Sequence, residues 1–342
     1  MMDGFRVGIV CATGAVGREV VKILKERRFP AADVRLIASG RSAGTRIGDT
    51  IVEAISEEVL KDLDAAIFDT PDEIATRWVP VAASLGVTVI DNSAAFRMEP
   101  DVPLVIPEIN ADALRQARRR IIANPNCTTA TIAMPLAPLH KAAKLRRVFA
   151  CSYQAVSGAG QKGVEQLWTE LGEAVASHQP PVAPRGDAFA HPIALNLIPA
   201  IGSWKGDHTS EEVKVASELR KMLDAPELRA GITCVRIPTL VGHGVAVHAE
   251  FERPMDPSTA RRILDRAPGI DVIDDPRTNR YPTTLQAAGR DPCYVGRIRE
   301  DGAGALAFFA IADNLRKGAA LNTIQIAETL IRMGLLAPRV RA

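Results

Sequence analysis

The sequence predicts an α/β protein in which a parallel sheet is followed by a second, largely antiparallel sheet covered by helices. Short, continuously apolar runs alternate with amphipathic stretches up to about residue 124. From about residue 146 the runs are longer, and several of them alternate apolar and polar residues. The first pattern is typical of a sheet buried on both faces, the second of a sheet buried on one. The chain has 342 residues, which agrees with about two domains.

The first part contains five predicted strands, each a short apolar run: residues 5–10, 34–38, 65–69, 87–90 and 120–124. A glycine turn follows the first strand, and a helix is predicted from about Ala15 to Arg27. Helical segments separate several of the other strands, as expected for a parallel sheet.

The second part contains five longer predicted strands: residues 146–156, 232–240, 245–253, 293–299 and 305–312. Helices at about 162–176 and 210–223 are expected to cover this sheet. The stretch 177–192 is rich in proline and is predicted to be irregular. A last apolar-periodic helix is expected to return to the first domain. We therefore predict a first domain of the dinucleotide-binding type, which consists of residues 1–130 and helix 314–337. Residues 131–313 are predicted to form the second domain.

Composition excludes several classes of protein. The formal charge is +2, from 42 basic and 40 acidic residues, and aromatic residues make up only 4%, so no nucleic-acid partner is expected. No apolar run approaches the ~18 residues of a membrane span, so no membrane partner is expected. The five cysteines are far apart and form no CxxC pair, so we predict neither disulfides nor a metal site. A cytoplasmic protein is expected.

The segment "GIVCATGAVG" places Gly14 and Gly17 between the first strand and its helix. Glycine permits close approach of the backbone, and a helix N-terminus offers free N–H groups to a pyrophosphate. Cys11 stands where a complete fingerprint has a glycine, so a tight strand-to-helix turn without a ligand is the alternative. Because the loop opens a predicted βαβ unit, we favour a Rossmann-type dinucleotide-binding domain.

The end of the second strand indicates which dinucleotide is bound. A carboxylate at that point holds the ribose hydroxyls of NAD. Here the strand runs into "IASGRSAG", with Ser39, Arg41 and Ser42 and no carboxylate. An arginine with hydroxyl groups suits a 2′-phosphate, so NADP is predicted. The alternative is that Arg41 is an ordinary solvent-exposed arginine.

Cys127 is the candidate nucleophile. It follows Asn126, a residue that favours the N-cap, and precedes a helix-compatible stretch. The first turn of a helix favours the thiolate. The alternative is a buried thiol that acts as a small apolar side chain, which fits Cys151, Cys234 and Cys293 better.

Of six histidines, His243 is the best candidate for the acid/base, because glycines flank it at the start of a strand.

These residues lie in a series of blocks that resembles the bacterial type of the aspartate-β-semialdehyde dehydrogenase family. The blocks span nearly the whole chain: "TGAVG", "ASGRSAG", "IDNSAAFRM", "DVPLVIPEIN", "ANPNCTT", "YQAVSGAG", "EEVKV", "CVRIPTLVGH", "VGRIR" and "ADNLRKGAALN". The pair "ANPNC" and "VRIP…GH" is specific to the family, whereas "TGAVG" alone is not. The resemblance implies a Rossmann-type NADP domain and an α+β catalytic and dimerisation domain.

The resemblance also implies the reaction, which is NADPH-dependent reductive dephosphorylation of L-aspartyl 4-phosphate in lysine (through diaminopimelate), threonine and methionine biosynthesis. Cys127 would form the acyl thioester, His243 would be the acid/base, and Gln154 would orient the thioester. The implied substrate contacts are Arg236 for the α-carboxylate, Glu211 for the ammonium group, and Arg97, Asn126 and Lys214 for the phosphoryl group. The implied NADP contacts are Thr13, Gly14, Ala15, Val16, Arg41, Ser42, Ser157, Gly158 and Asn314. A homodimer, or a tetramer built from dimers, would be the assembly.

Two features depart from the family pattern. Cys11 replaces a glycine of the phosphate loop, and "FDTPDE" stands where a Ser-Ala-Gly-Gly segment is usual, so that Asp69 and Asp72 bring negative charge toward the cofactor. Two other functions stay open at this point. One is a related acyl-phosphate reductase of the N-acetyl-glutamyl-phosphate type, and the other is an inactive paralogue with a structural role.

Overall fold

The computed structural model describes residues 4–339. Residues up to Asn126, together with those from Ala319 onward, form one compact unit, and Cys127–Gly318 form the other. The domain limits predicted from the sequence differ from this division by a few residues and stay a prediction. Among residues 4–339, no helix is both long and apolar enough to cross a membrane.

The first unit is built on a six-stranded, entirely parallel sheet with the order β5-β2-β1-β6-β7-β8. Its elements up to the last strand of this sheet are β1 (Phe5–Val10), α1 (Ala15–Glu26), β2 (Ala31–Ala38), β3 (Arg46–Ile47), β4 (Thr50–Ile51), β5 (Glu53–Ala54), α2 (Glu57–Lys61), β6 (Ala65–Phe68), α3 (Asp72–Ser84), β7 (Thr88–Asp91), α4 (Pro107–Asn110), a 3₁₀ turn (Ala111–Gln116) and β8 (Ile121–Ala123). All five strands predicted from the apolar runs are present, and the Rossmann-type architecture is confirmed.

The order of these strands positions the two loops predicted to bind the cofactor. Strands β1 and β2 are parallel neighbours, so the loops that follow them leave the same edge of the sheet. Helix α1 buries Val20, Ile23 and Leu24 against the sheet and begins directly after the first loop. The local amphipathic pattern of α1 therefore fixes its N-terminus at the edge where a pyrophosphate would bind.

The second unit contains a six-stranded mixed sheet with the order β12-β9-β13-β16-β15-β14. Its elements are α5 (Cys127–Ala143), β9 (Leu145–Gln154), a 3₁₀ turn (Val156–Ala159), α6 (Gly160–Ser177), β10 (Trp204–Lys205), β11 (His208–Thr209), α7 (Ser210–Met222), β12 (Arg229–Arg236), β13 (His243–Phe251), α8 (Pro257–Asp265), β14 (Ile270–Val272), a 3₁₀ turn (Pro276–Thr278), α9 (Thr284–Ala287), β15 (Cys293–Glu300) and β16 (Leu306–Ala312). The three central strand pairs are antiparallel, as predicted, but both edge pairs are parallel. Helices α5, α7 and α8 pack on the sheet.

The predicted helix 314–337 is wrong at both ends. The chain first forms a π turn, Arg316–Ala320, and then α10, Leu321–Arg332, which returns to the core of the first unit. The Asp313 side chain accepts the N–H groups of Leu315 and Arg316, and the N–H of Gly318 donates to the Asp313 carbonyl. These bonds replace the regular α-helical pattern, so α10 starts later than the apolar periodicity suggests.

Candidate active site

Three of the predicted site residues meet because of the strand register in the second unit. Arg236 ends β12 and lies opposite Gln154, which ends the parallel strand β9. His243 begins β13, which runs antiparallel to β9 and pairs Gly244 with Tyr153. All three side chains are buried. The ends of three neighbouring strands thus bring an arginine, an amide and an imidazole to one edge of the sheet.

His243 is held as a neutral ring with one free nitrogen. Its Nδ1 accepts the N–H of Ala155 at 3.2 Å, so the neutral ring carries its proton on Nε2. This Nε2 has no hydrogen-bond partner among residues 4–339. Burial, and then the positive charge of Arg236, lower the pKa of His243 well below its usual value. The ring therefore presents an unpaired N–H donor inside a buried site.

Arg236 is a buried cation, and most N–H groups of its guanidinium have no hydrogen-bond partner among residues 4–339. Its Nη1 donates to the Ala155 carbonyl at 2.7 Å, the one side-chain hydrogen bond that it makes among the described residues. Burial lowers the pKa of Arg236, whereas the negative charges of Cys127 and Glu211 raise it. These two residues are therefore close enough to influence the guanidinium. The unused N–H groups form the planar fork that binds carboxylates.

Gly158 makes room for both of these groups. A Cβ at this position would lie 2.7 Å from Nη1 of Arg236 and 3.1 Å from Nε2 of His243. A side chain at this position would therefore clash with the Arg236 guanidinium and crowd the His243 ring. Ser157, the preceding residue, accepts a hydrogen bond from Nδ2 of Asn314 at 2.9 Å, and Asn314 in turn accepts the N–H of Gly242 at 2.9 Å.

Cys127 is the first residue of α5, and its side chain is half-buried. The position places the thiol at the positive end of a helix of 17 residues, where a thiolate is favoured. The close neighbour of Cys127 is Gly318, in the π turn. A Cβ on Gly318 would lie 2.7 Å from the Cβ of Cys127. No local signal in the sequence points to this role of Gly318, although the glycine lies within the block "ADNLRKGAALN".

Glu211 and Lys214, two further residues of the predicted set, lie on the first turns of α7. Thr209 and Glu212 form a capping box that fixes the start of this helix. Glu211 is buried, and its Oε1 accepts a hydrogen bond from Nε2 of Gln154 at 3.4 Å. Lys214, one turn later, is half-buried. A carboxylate thus lies beside the amide of Gln154.

Two other histidines and one other cysteine have surroundings of a different kind. His140 accepts the N–H of Leu145, and His248 pairs with Asp301 at 3.0 Å. Burial raises the pKa of Cys234 to about 12. Such a thiol stays protonated at neutral pH and is a poor nucleophile.

In the first unit, Cys11 adopts the left-handed conformation, with φ of +72°. This is the backbone geometry that glycine favours, and it explains why other loops of this type have a glycine there. Gly17 packs against the loop, since a Cβ on it would lie 2.5 Å from the Cys11 carbonyl oxygen. Thr13 and Gly14 complete the loop, and Ala15 and Val16 begin α1. The loop therefore keeps its tight shape despite the missing glycine.

Asp69 follows β6 and faces this loop. Its Oδ2 lies 3.8 Å from the position that a Cβ on Gly14 would take, and its Oδ1 accepts Nδ2 of Asn92 at 3.3 Å. Burial and the nearby charge of Asp91 raise the pKa of Asp69 to about 6, although the bond from Asn92 opposes the shift. A titratable carboxyl thus borders the phosphate loop.

The loop after β2 is a turn in which Ser42 donates its N–H to the Ser39 carbonyl at 2.9 Å. Arg41 lies in this turn with an exposed side chain.

Arg97 is buried in the same unit, where Nε donates to the Asn124 carbonyl at 2.9 Å and Nη2 to the Asn92 carbonyl at 2.5 Å. Asn126 is buried directly before Cys127 in the chain.

The chain is similar to known proteins over both of its units. The family model "Semialdehyde dehydrogenase, NAD binding domain" matches residues 6–117, and "Semialdehyde dehydrogenase, dimerisation domain" matches residues 136–317. The aspartate-semialdehyde dehydrogenase of Aquifex aeolicus is 42% identical, with 97% of this chain and 100% of that protein covered. The enzyme of the same name from Streptomyces akiyoshiensis is 43% identical, with 94% and 97% covered.

A solved structure gives the same result. Aspartate semialdehyde dehydrogenase II from Vibrio cholerae, complexed with ASA, superposes with a TM-score of 0.90 at 37% identity. The alignment covers 96% of this chain and 98% of that one. The similarity therefore extends over both units.

Proposed function

The chain belongs to the aspartate-semialdehyde dehydrogenase family, and we propose that it reduces L-aspartyl 4-phosphate to L-aspartate 4-semialdehyde and phosphate through a thioester on Cys127. The observation that carries the proposal is the meeting of Gln154, Arg236 and His243 at one edge of the sheet, with Cys127 close enough to raise the pKa of Arg236. The two alternatives from the sequence gain no support from the relatives, which are aspartate-semialdehyde dehydrogenases.

The chemistry of this chain's residues follows from their protonation states. The Cys127 thiolate attacks the acyl carbon of the aspartyl phosphate, and phosphate leaves with the bonding electron pair. NADPH, when bound, supplies the hydride that reduces the thioester. The alkoxide that forms on the former carbonyl oxygen accepts a hydrogen bond from the Nε2–H of His243. When the alkoxide collapses, the carbonyl re-forms and the C–S bond breaks, so the Cys127 thiolate leaves with the bonding electron pair and the aldehyde is released. The neutral state of His243 suits this role as a donor.

Recognition of the substrate uses charges of opposite sign. Arg236 binds the α-carboxylate with its free N–H groups, and Glu211 binds the ammonium group. Gln154, whose amide lies beside Glu211, orients the thioester. We propose Arg97, Asn126 and Lys214 as the residues that bind the phosphoryl group, as the family resemblance implies. Glu211 favours a free amino acid over an N-acylated substrate, whose nitrogen carries no charge.

The cofactor is a nicotinamide dinucleotide, as the matched NAD-binding domain indicates, and we propose NADP. The N-terminus of α1, which lacks acidic residues in its first turn, suits the pyrophosphate. Ser39, Arg41 and Ser42 are proposed to bind the 2′-phosphate, since Arg41 extends from this turn into solvent. Ser157, Gly158 and Asn314 are proposed as the cofactor contacts of the second unit.

The matched dimerisation domain supports an oligomer, and we propose a homodimer or a tetramer built from dimers. We also propose a cytoplasmic location, which the five free thiols support.

Steady-state kinetics in the reverse direction test the function. The purified enzyme is supplied with L-aspartate 4-semialdehyde, NADP and phosphate, and NADPH is followed by absorbance. We expect NADPH formation that requires all three and that is negligible with N-acetyl-glutamate 5-semialdehyde. Equal rates with the two aldehydes would reject the proposed substrate. Absence of activity with either, in folded protein, would support the inactive paralogue.

A further inference from the structure

Residues 178–203 connect α6 to β10 without forming a helix or a multi-residue strand. Within this connection, residues 185–198, here called the strap, are nevertheless tied to α6 by two buried polar side chains, Gln166 and Glu170. Neither side chain belongs to the catalytic set described above. A glutamate without any exposed surface is costly to bury, so its hydrogen bonds need an explanation.

Both oxygens of Glu170 bind the strap. Oε2 accepts the N–H groups of Ile193 at 2.6 Å and Ala194 at 2.9 Å. Oε1 accepts the N–H of Arg185 at 3.1 Å and Nε2 of Gln166 at 2.8 Å. Burial alone would raise the pKa of Glu170, but these donors outweigh it and lower the pKa. The carboxylate is thus ionised and fully bonded, which fixes the strap at Arg185 and at Ile193 and Ala194.

Gln166 fixes the middle of the strap. Its Oε1 accepts the N–H groups of Ala188 at 3.2 Å and Phe189 at 3.3 Å. Gly163, one turn earlier on α6, leaves space for the aromatic ring, since a Cβ there would lie 3.0 Å from Cζ of Phe189. The helix therefore determines where the Phe189 ring lies.

The strap held in this way contacts Arg236 twice. The Phe189 ring centroid lies 5.8 Å from Cζ of Arg236, within the range of a cation–π contact. The backbones of Ile198 and Arg236 exchange two hydrogen bonds, of 2.9 and 2.8 Å. Among residues 4–339 the guanidinium makes a single side-chain hydrogen bond, to the Ala155 carbonyl, and this bond alone does not define the orientation of its plane.

We propose that Phe189 orients the guanidinium of Arg236 for the substrate carboxylate, and that Gln166 and Glu170 are positioning residues that act through the strap. The inference rests on the proposed function, in which Arg236 binds that carboxylate. A bidentate pair requires the plane of the guanidinium to be aligned with the carboxylate, and a ring packed against it restricts its rotation. The ring also offsets part of the cost of burying the cation.

Kinetics of the complete enzyme test the inference, with the variants Phe189→Leu and Glu170→Gln. In Glu170→Gln, an NH₂ group replaces an oxygen that faces backbone N–H donors, so the strap loosens. For both variants we expect the KM for aspartate semialdehyde to rise about 5- to 20-fold. We expect kcat and the KM values for phosphate and NADP to change less than about twofold. The control is Glu173→Gln, since Glu173 makes a surface ion pair with Arg185 at 2.6 Å and should leave all constants unchanged.

A double-mutant cycle separates action through Arg236 from a general structural effect. In an Arg236→Leu background, Phe189→Leu should change the KM for aspartate semialdehyde less than twofold. A full additional loss in that background would overturn the inference, as would equal increases in all three KM values or no increase in any. Phe189→Leu decides the matter if Glu170→Gln fails to fold. Wild-type enzyme without activity would instead reject the proposed function, which is a separate result.

Discussion

Gly318→Ala is the substitution expected to displace the nucleophile without altering any reacting group. The new Cβ would lie 2.7 Å from the Cβ of Cys127 and 3.2 Å from its Cα, whereas ordinary contacts begin at 3.4 Å. One of the two segments must therefore move by about 0.7 Å. Misplacement of a reacting atom by about 1 Å can cost ~100-fold in rate, so we expect kcat to fall roughly 10- to 100-fold.

The same substitution should have a small effect on stability. Overpacking costs about 1–3 kcal/mol, and alanine regains up to about 1 kcal/mol relative to glycine within a helical turn. We therefore expect a decrease of about 2 kcal/mol or less in the free energy of unfolding, measured by denaturant titration. The matched control is Gly172→Ala in α6, where a Cβ meets nothing within 4 Å. The control should keep full activity and gain about 0.5–1 kcal/mol.

The assay is phosphate-dependent NADPH formation at saturating substrates. Gly318→Ala with kcat within threefold of wild type would refute the argument that this glycine positions the thiol. Loss of activity in both alanine variants would also refute it, because α6 holds no reacting group.

Three further predictions concern the proposed roles of individual residues. Cys127→Ser should lose at least about 100-fold in kcat without a change in thermal midpoint, whereas Cys234→Ser should retain activity within a few fold. The reverse order of activities in the NADPH assay would show that Cys127 is not the nucleophile. Arg41→Ala should raise the KM for NADP about tenfold and leave that for NAD unchanged, and equal effects on both would contradict a 2′-phosphate contact. The pKa of Asp69 is raised to about 6 in the folded protein, above its ordinary 3.8, so its contribution to stability is largest below pH 4 and is lost as the pH rises through 6. Asp69→Asn should therefore raise the free energy of unfolding at pH 8 by roughly 1–2 kcal/mol, which is less than the full pKa shift implies because the side chain is partly exposed. The substitution should also lower the KM for NADP at pH 8 but not at pH 5. Identical pH dependence of the wild type and the variant would contradict this prediction.

The apolar runs of the first unit were enough to predict five of the six strands of its sheet, because strands buried on both faces are continuously apolar. The short edge strand β5 has no such run. The sequence also indicated the start of α5, since Asn126 and Cys127 mark a helix N-terminus locally. The two parallel edge pairs of the second sheet were not predictable, because alternation defines which face is buried but not strand direction.

The candidate site shows the same division between local and distant signals. The glycines on either side of His243 indicated this residue locally. Gln154 and Arg236 were predicted as site residues only through the family resemblance, because strand register brings them together across about 80 residues of sequence. The contact of Gly318 with Cys127 depends on a π turn set by Asp313, and the apolar periodicity of the last helix conceals that turn. The strap carries no periodic signal at all, and its order is revealed by its hydrogen bonds to Gln166, Glu170 and Arg236.

Every step of the proposed reaction passes through the thioester on Cys127, and a single turnover without phosphate should accumulate this intermediate. Enzyme is mixed with NADP and L-aspartate 4-semialdehyde, quenched in acid, digested and examined by mass spectrometry. We predict a burst of one NADPH per active site and an aspartyl group on the peptide that contains Cys127, released when phosphate is added before the quench. An aspartyl group on another cysteine, or continuous NADPH formation without phosphate, would contradict the account.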